Sequence, residues 1–179
     1  MQIIDSQKIP ASREKVWTAL NDPAVLKHCI PGCEDLQMSS PTDMAATVVL
    51  RVGPVKATFG GKVTLSDLDP PNGYRISGEG SGGVAGFAKG GATVRLEPDG
   101  PDATILHYEV DVQIGGRLAQ LGGRLIESTT KKLSGEFFAA FGAIVGGESP
   151  VVADAADAKD GKRGWLSRLT GAADAQGAE

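Results

Sequence analysis

Apolar residues recur at every second position through residues 43–115, then at every third or fourth position from Leu118 onward. That change of period constrains the fold more than any other feature, because period two belongs to a half-buried strand and period 3.6 to an amphipathic helix. In "DMAATVVLRV" the residues Met44, Ala46, Val48, Leu50 and Val52 point one way. "VKATFGGKVTLSDL" repeats the pattern with Val55, Ala57, Phe59, Val63 and Leu65. "YRISGEG" and "GFAKGGATVRLEP" follow, and "ATILHYEVDVQIGG" puts Leu106, Tyr108, Val110, Val112 and Ile114 on one face. Gly53-Pro54, "DPPNG" and Asp99-Gly100 supply the turns between them.

Leu118, Leu121, Leu125, Leu133, Phe137, Phe141 and Ile144 then form one stripe, with Arg124, Glu127, Lys131, Lys132 and Glu136 opposite. This predicts one long helix ending near Gly146-Gly147. Upstream, "QIIDSQKI" reads as a strand ended by Pro10. Ser12 is placed to cap a helix over "REKVWTAL", and Asp22-Pro23 starts a second helix, "PAVLKHC". The expected order is strand, two short helices, six consecutive hairpin-linked strands and a long C-terminal helix.

Strands with one apolar face must be covered, and a single long amphipathic helix is the only cover expected. The predicted class is therefore α+β: a curved antiparallel sheet wrapped around one helix, with an apolar cavity where the two do not meet. The candidate lining is Val48, Leu50, Phe59, Val63, Tyr108, Val110, Leu121, Leu125 and Phe137. The chain has 25 glycines among 179 residues, many paired inside regular segments, where backbone must bend or a ligand needs room.

"LKHCIPGCEDL" holds both cysteines and one of the two histidines. Cys29-x-x-x-Cys33 is one loose half of a zinc site with no second pair, and a redox centre prefers C-x-x-C. Ile30, Pro31 and Cys33 are instead expected in a loop closing the cavity mouth. "GSGGVAG" matches a dinucleotide fingerprint formally, but a strand follows it where a helix is required. His107, Glu109 and Asp111 alternate away from the apolar face. No acid, base or nucleophile apart from Tyr108 is expected to point inward, so the chain does not read as an enzyme, and no metal is expected. A net charge of −4 argues against nucleic acid as a partner.

Residues 1–147 read as the ligand-binding domain. Residues 148–179 are rich in Ala, Asp and Gly and are expected to form a flexible tail. Its segment 162–170 sets Trp165, Leu166 and Leu169 among Lys162, Arg163 and Arg168, the pattern of a weak membrane-surface helix. "MQIIDSQKIP" carries no basic leader or apolar run, and no stretch is long enough to span a bilayer. The expected location is the cytoplasm, peripherally at the inner face of the cell membrane.

"VWTALNDPAVLKHCIPGCEDL", "VGPVKATFGGKVTLSDLDPP", "GEGSGGVAGFAKGGATVRL" and "GGRLAQLGGRLIESTTKKLSGEFFAAF" together resemble the carbon monoxide dehydrogenase G-subunit (CoxG) family of the START/Bet v 1-like (SRPBCC) superfamily. The likeness covers about residues 1–145, with Ile30, Pro31, Gly32, Cys33, Glu34, Gly53 and Pro54 matching its signature. The resemblance implies a helix-grip fold and a role alongside a molybdenum-containing carbon monoxide dehydrogenase or related hydroxylase. Members are described as membrane-recruitment or assembly factors, with no catalytic residue to carry over. Cavity, tail and resemblance together point to a carrier of a hydrophobic small molecule, an isoprenoid quinone such as menaquinone, between membrane and enzyme. A ligand-free adaptor is the alternative, and a polyketide cyclase-like enzyme a weaker one.

Overall fold

The computed structural model describes residues 1–147. Strand β1 (Gln2–Ile9) stops at Pro10, and Ser12 Oγ accepts from the Lys15 amide at 3.4 Å to start α1 (Arg13–Leu20). Asp22 Oδ1 accepts from the Ala24 amide at 2.9 Å and Pro23 occupies the first turn of α2 (Pro23–Cys29). Six strands follow: β2 (Cys33–Met38), β3 (Asp43–Val52), β4 (Val55–Asp69), β5 (Gly73–Ser81), β6 (Phe87–Pro98) and β7 (Thr104–Gly115). Then come α3 (Arg117–Gln120) and α4 (Gly123–Val145). The seven strands form one antiparallel sheet in the order β1-β7-β6-β5-β4-β3-β2. The first strand therefore lies beside the last, with Gln2 opposite Asp111 and Ile9 opposite Thr104. The result is a helix-grip fold: a curved sheet around α4.

Two expectations are corrected. The segment from Cys33, expected as part of a loop, is edge strand β2, irregular between Cys33 and Asp35. The long helix is also interrupted. Gly122 has φ +91°, outside the helical region, so α3 ends and α4 begins afresh at Gly123. A Cβ at Gly122 would touch nothing within 4 Å, so conformation and not crowding calls for glycine there.

Side-chain size grades along the inner face of the sheet. At one end Leu65, Tyr74, Val94, Leu96 and Leu106 pack against Val16 and Leu20 of α1, Cys29 of α2 and Phe141 of α4. Trp17 meets Tyr74 edge-on at 5.5 Å, and Phe137 stacks on Phe141 at 5.7 Å. Buried Thr104 donates to the Ala11 carbonyl at 2.8 Å, tying β7 to the entry of α1. Toward the other end the inward side chains of the two central strands, β5 and β6, shrink to alanine and glycine. The second half of α4 is thus gripped by core, while its first half spans open space.

Gly135, in the middle of α4, is exposed, and an added Cβ would meet nothing within 4 Å. Gly135→Ala is expected to stabilise the domain by about 1 kcal/mol, raising Tm by about 3 °C in a thermal melt.

Candidate ligand-binding site

Strand register turns scattered glycines into a floor. Ala46 pairs with Gly61, Gly61 with Gly80, and Gly80 with Ala88, giving one transverse row across β3 to β6. The next row runs Val63, Gly78, Gly90, Val112. Neighbouring strands lie ~4.8 Å apart, so for about 14 Å across the sheet the first row presents nothing larger than a methyl group, and bare peptide at Gly61 and Gly80. Some of these glycines are required by packing as well. A Cβ on Gly90 would lie 2.1 Å from the Asp111 carbonyl oxygen, and one on Gly91 2.7 Å from that of Ile76.

Above this floor is a cavity of about 570 Å³, within the range of small-molecule sites. Val48, Leu50, Phe59, Ile76 and Val110 form its sides; Leu118 of α3 and Ile126, Thr129, Thr130 and Leu133 of α4 form its roof. Ile30 and Pro31 lie along its margin. The charged residues near it, Glu79 and Lys89, are exposed strand positions alternating with the inward Gly78, Gly80 and Ala88. The hydroxyls of Thr129 and Thr130 donate to the Leu125 and Ile126 carbonyls, each at 2.8 Å.

The loop at Ile30 is held by Gly32. Its φ is +75°, a Cβ there would lie 2.0 Å from the Val49 carbonyl oxygen, and its own carbonyl accepts from the Val49 amide at 2.9 Å. Only glycine lets the loop approach β3 this closely. Gly53, φ +58°, acts alike in the β3–β4 turn: a Cβ would lie 2.6 Å from Leu125 Cδ2. The hairpin tip thereby rests on α4.

The structure distributes the sequence-derived lining as follows. Val48, Leu50, Phe59, Val63 and Val110 border the cavity, as do Ile30 and Pro31 of the loop. Tyr108 does not. Its ring stacks on Phe138 at 5.4 Å, and its hydroxyl donates to Asp5 Oδ2 at 3.3 Å at the sheet edge. Leu121 sits at the break between α3 and α4, Leu125 under the Gly53 turn, and Phe137 in the aromatic cluster with Phe138 and Phe141. Of these three only Leu121 precedes the break at Gly122; Leu125 and Phe137 are both on α4, where the β3–β4 turn and the aromatic cluster respectively occupy them. Cys33 is not in the cavity lining; it borders a neighbouring depression with Lys27 and His28, on the other side of Ile30 and Pro31, which line both. Ala46 lines the cavity on the inward face expected of it, whereas Gly61, Gly78, Gly80 and Gly90, Ala88, and the two threonines escape the sequence reading. Their signal is the glycine pairs, which only strand register can align. Lys162, Arg163, Trp165, Leu166, Arg168 and Leu169, with the rest of the expected tail, lie outside the described residues.

Both thiols are free. Cys29 is buried in the core, and burial pushes its thiol up to about 11. Cys33 donates to the Asp35 carbonyl at 3.3 Å and is also shifted upward, chiefly by burial. Among the described residues no group of three or more His, Cys, Asp or Glu could hold a metal ion. His107 pairs with Glu97 at 2.8 Å on the outer face. A disulfide-exchange reagent at pH 8 is expected to titrate one thiol, Cys33, in the folded protein, and the second only after denaturation. Because folding raises the Cys29 pKa, its contribution to stability is full below pH 9 and lost as pH rises toward about 11. Urea melts at pH 8 and pH 11, with Cys29→Ala as reference, measure that loss.

A family model described as the carbon monoxide dehydrogenase G-subunit (CoxG) matches residues 6–146. Among solved structures, a conserved protein from Geobacillus kaustophilus is 27% identical, with a TM-score of 0.77 over 81% of this chain and 95% of that one. A START superfamily protein from Mycobacterium smegmatis is 15% identical, TM-score 0.62, over 80% of this chain and 96% of that one. The Zhui aromatase/cyclase from Streptomyces sp. R1128 is 14% identical, TM-score 0.57, over 81% and 93%. At these identities the last two establish the START/Bet v 1-like fold alone. No curated protein matches the sequence. Among the described residues no helix is long and apolar enough to cross a membrane.

Proposed function

Since this chain belongs to the carbon monoxide dehydrogenase G-subunit (CoxG) family, we propose that it is a non-catalytic carrier of an isoprenoid quinone such as menaquinone. In this reading it takes the quinone from the membrane and presents it to a molybdenum-containing carbon monoxide dehydrogenase or related hydroxylase, for which it also serves as a membrane link. The observation that supports the reading best is the cavity over the Gly/Ala floor. Its lining is almost wholly hydrocarbon, and hydrocarbon buried there gains about 25 cal/mol per Å² of surface removed from water. A flat ring or an unsaturated chain can lie directly on peptide backbone where Gly61, Gly78, Gly80 and Gly90 present no side chain.

Carriage is favoured over catalysis by the chemistry of the walls. No carboxylate or imidazole among the described residues faces into the cavity to move a proton, and its two hydroxyls are bonded within α4. The relatedness to an aromatase/cyclase extends to the fold and brings no residues with it. Docking to the membrane is assigned to the basic and aromatic segment around Trp165. The test is solvent extraction of the purified full-length protein followed by mass spectrometry. Menaquinone, or uptake of added menaquinone-4 close to one per chain, is the expected result. A protein that emerges empty and takes up none contradicts the proposal.

A further inference from the structure

The cavity offers nothing to a polar atom. The Thr129 and Thr130 hydroxyl protons are already committed to helix carbonyls, Glu79 and Lys89 at the border are exposed positions alternating with the inward ones, and the rest of the wall is aliphatic, phenyl or bare backbone. Any amphiphile held there must place its polar end elsewhere, because a desolvated carbonyl without a donor is destabilising.

A second space adjoins it. Between β1 and the first half of α4 lies an open groove of about 1130 Å³, and Val112, Ile114, Ile126 and Thr130 line both spaces. The walls of the groove are of a different kind. Tyr108, whose ring is fixed against Phe138, reaches Asp5 across the β1–β7 pair at 3.3 Å, a long and easily exchanged hydrogen bond. Gln7 and Ser134 flank the same hydroxyl, on β1 and α4 respectively. Burial, and after it the Asp5 charge, raise the Tyr108 pKa, so the hydroxyl keeps its proton to donate.

We infer that this groove seats the polar, carbonyl-bearing head of the ligand whose hydrocarbon portion lies in the cavity, with Tyr108, Gln7 and Ser134 as its hydrogen-bond donors. The inference rests on the carrier reading above and adds the head-group chemistry. In the groove Lys131 already pairs with Glu127 at 3.0 Å, and the Asp5 carboxylate lies against the Tyr108 hydroxyl. A carboxylate head held by the Tyr108 hydroxyl would lie beside the Asp5 carboxylate, like charge against like. The groove therefore selects a neutral carbonyl compound over a fatty acid.

The experiment uses the full chain with Cys33→Ser, so that a thiol introduced by Ser134→Cys is the one open to N-ethylmaleimide while Cys29 stays buried. Saturation with menaquinone-4 should slow labelling at position 134 at least tenfold and leave Ser77→Cys, on the outer face of β5, unchanged. Tyr108→Phe, which keeps the ring stack, should weaken menaquinone-4 binding at least fivefold and leave binding of squalene, a hydrocarbon without a head, as it was. Menaquinone-4 that binds without protecting position 134 overturns the head-group assignment while the carrier reading stands. Menaquinone-4 that does not bind the unmutated protein overturns both.

Discussion

Gly80→Leu is expected to abolish menaquinone uptake, by at least tenfold in affinity, while leaving the fold as stable as before or more so. Gly80 sits in the middle of the transverse row, between Gly61 on β4 and Ala88 on β6. A Cβ built there has the Gly60 carbonyl oxygen at 3.7 Å and the Gly61 Cα at 3.9 Å as its nearest neighbours, which is ordinary contact. The backbone therefore accepts a side chain, and the branched end of the leucine enters the cavity. Replacing glycine inside a strand removes a cost of about 0.5–1 kcal/mol, so the melt should shift upward if it shifts at all. Tenfold weaker binding corresponds to about 1.4 kcal/mol. Two companions make the result interpretable. Gly60→Val, on the exposed face with nothing within 4 Å of its Cβ, should bind normally. Gly90→Val, with its Cβ 2.1 Å from the Asp111 carbonyl oxygen, should fail to fold. Normal uptake by Gly80→Leu means that no ligand rests on the floor.

The largest loss of stability is expected from Phe141→Ala, at about 3–5 kcal/mol, enough to lower Tm by roughly 10–15 °C. Phe141 has 0% exposure, stacks on Phe137 and belongs to the cluster holding Ile9, Val16 and Leu106. It joins α4 to the packed end of the sheet. Because the bare floor lies at the other end, the folded fraction of this variant should still take up menaquinone-4. Chemical denaturation with a parallel binding assay at low denaturant separates the two effects. A loss below about 1 kcal/mol would mean that α4 is held mainly by something other than its aromatic anchor.

Much of this is legible in the amino-acid order, and the exceptions share a cause. Alternation in "DMAATVVLRV" and "ATILHYEVDVQIGG" specifies both strands and their buried faces, because side chains on opposite faces meet different solvents. The caps at Ser12 and Asp22 are local chemistry and are equally readable. The sequence reading expects six strands after the helices but places only five, and β2 goes unplaced because "CEDLQM" is a short edge strand with an irregular start and no buried residue. The break at Gly122 is hidden because the spacing of Leu118, Leu121 and Leu125 continues a helical rhythm through a residue that is not helical. Asp5 and Gln7 share the inward face of β1 with Ile3 and Ile9, but their polarity conceals that a groove and not core awaits them. Register is the common element. Neither the glycine floor nor the meeting of Tyr108 with Asp5 exists until strands are set beside one another.

The pairing of β1 with β7 governs how the protein can be made. Gln2 leaves the ribosome early, yet its partner Asp111 is synthesised 109 residues later. At roughly 5–20 residues per second that is a wait on the order of 5–20 s. During it β1 stays unpaired while the meander grows behind it. Such long-range closure slows folding, and fragments ending before β7 should be captured by chaperones or proteases before they can collapse to a native state.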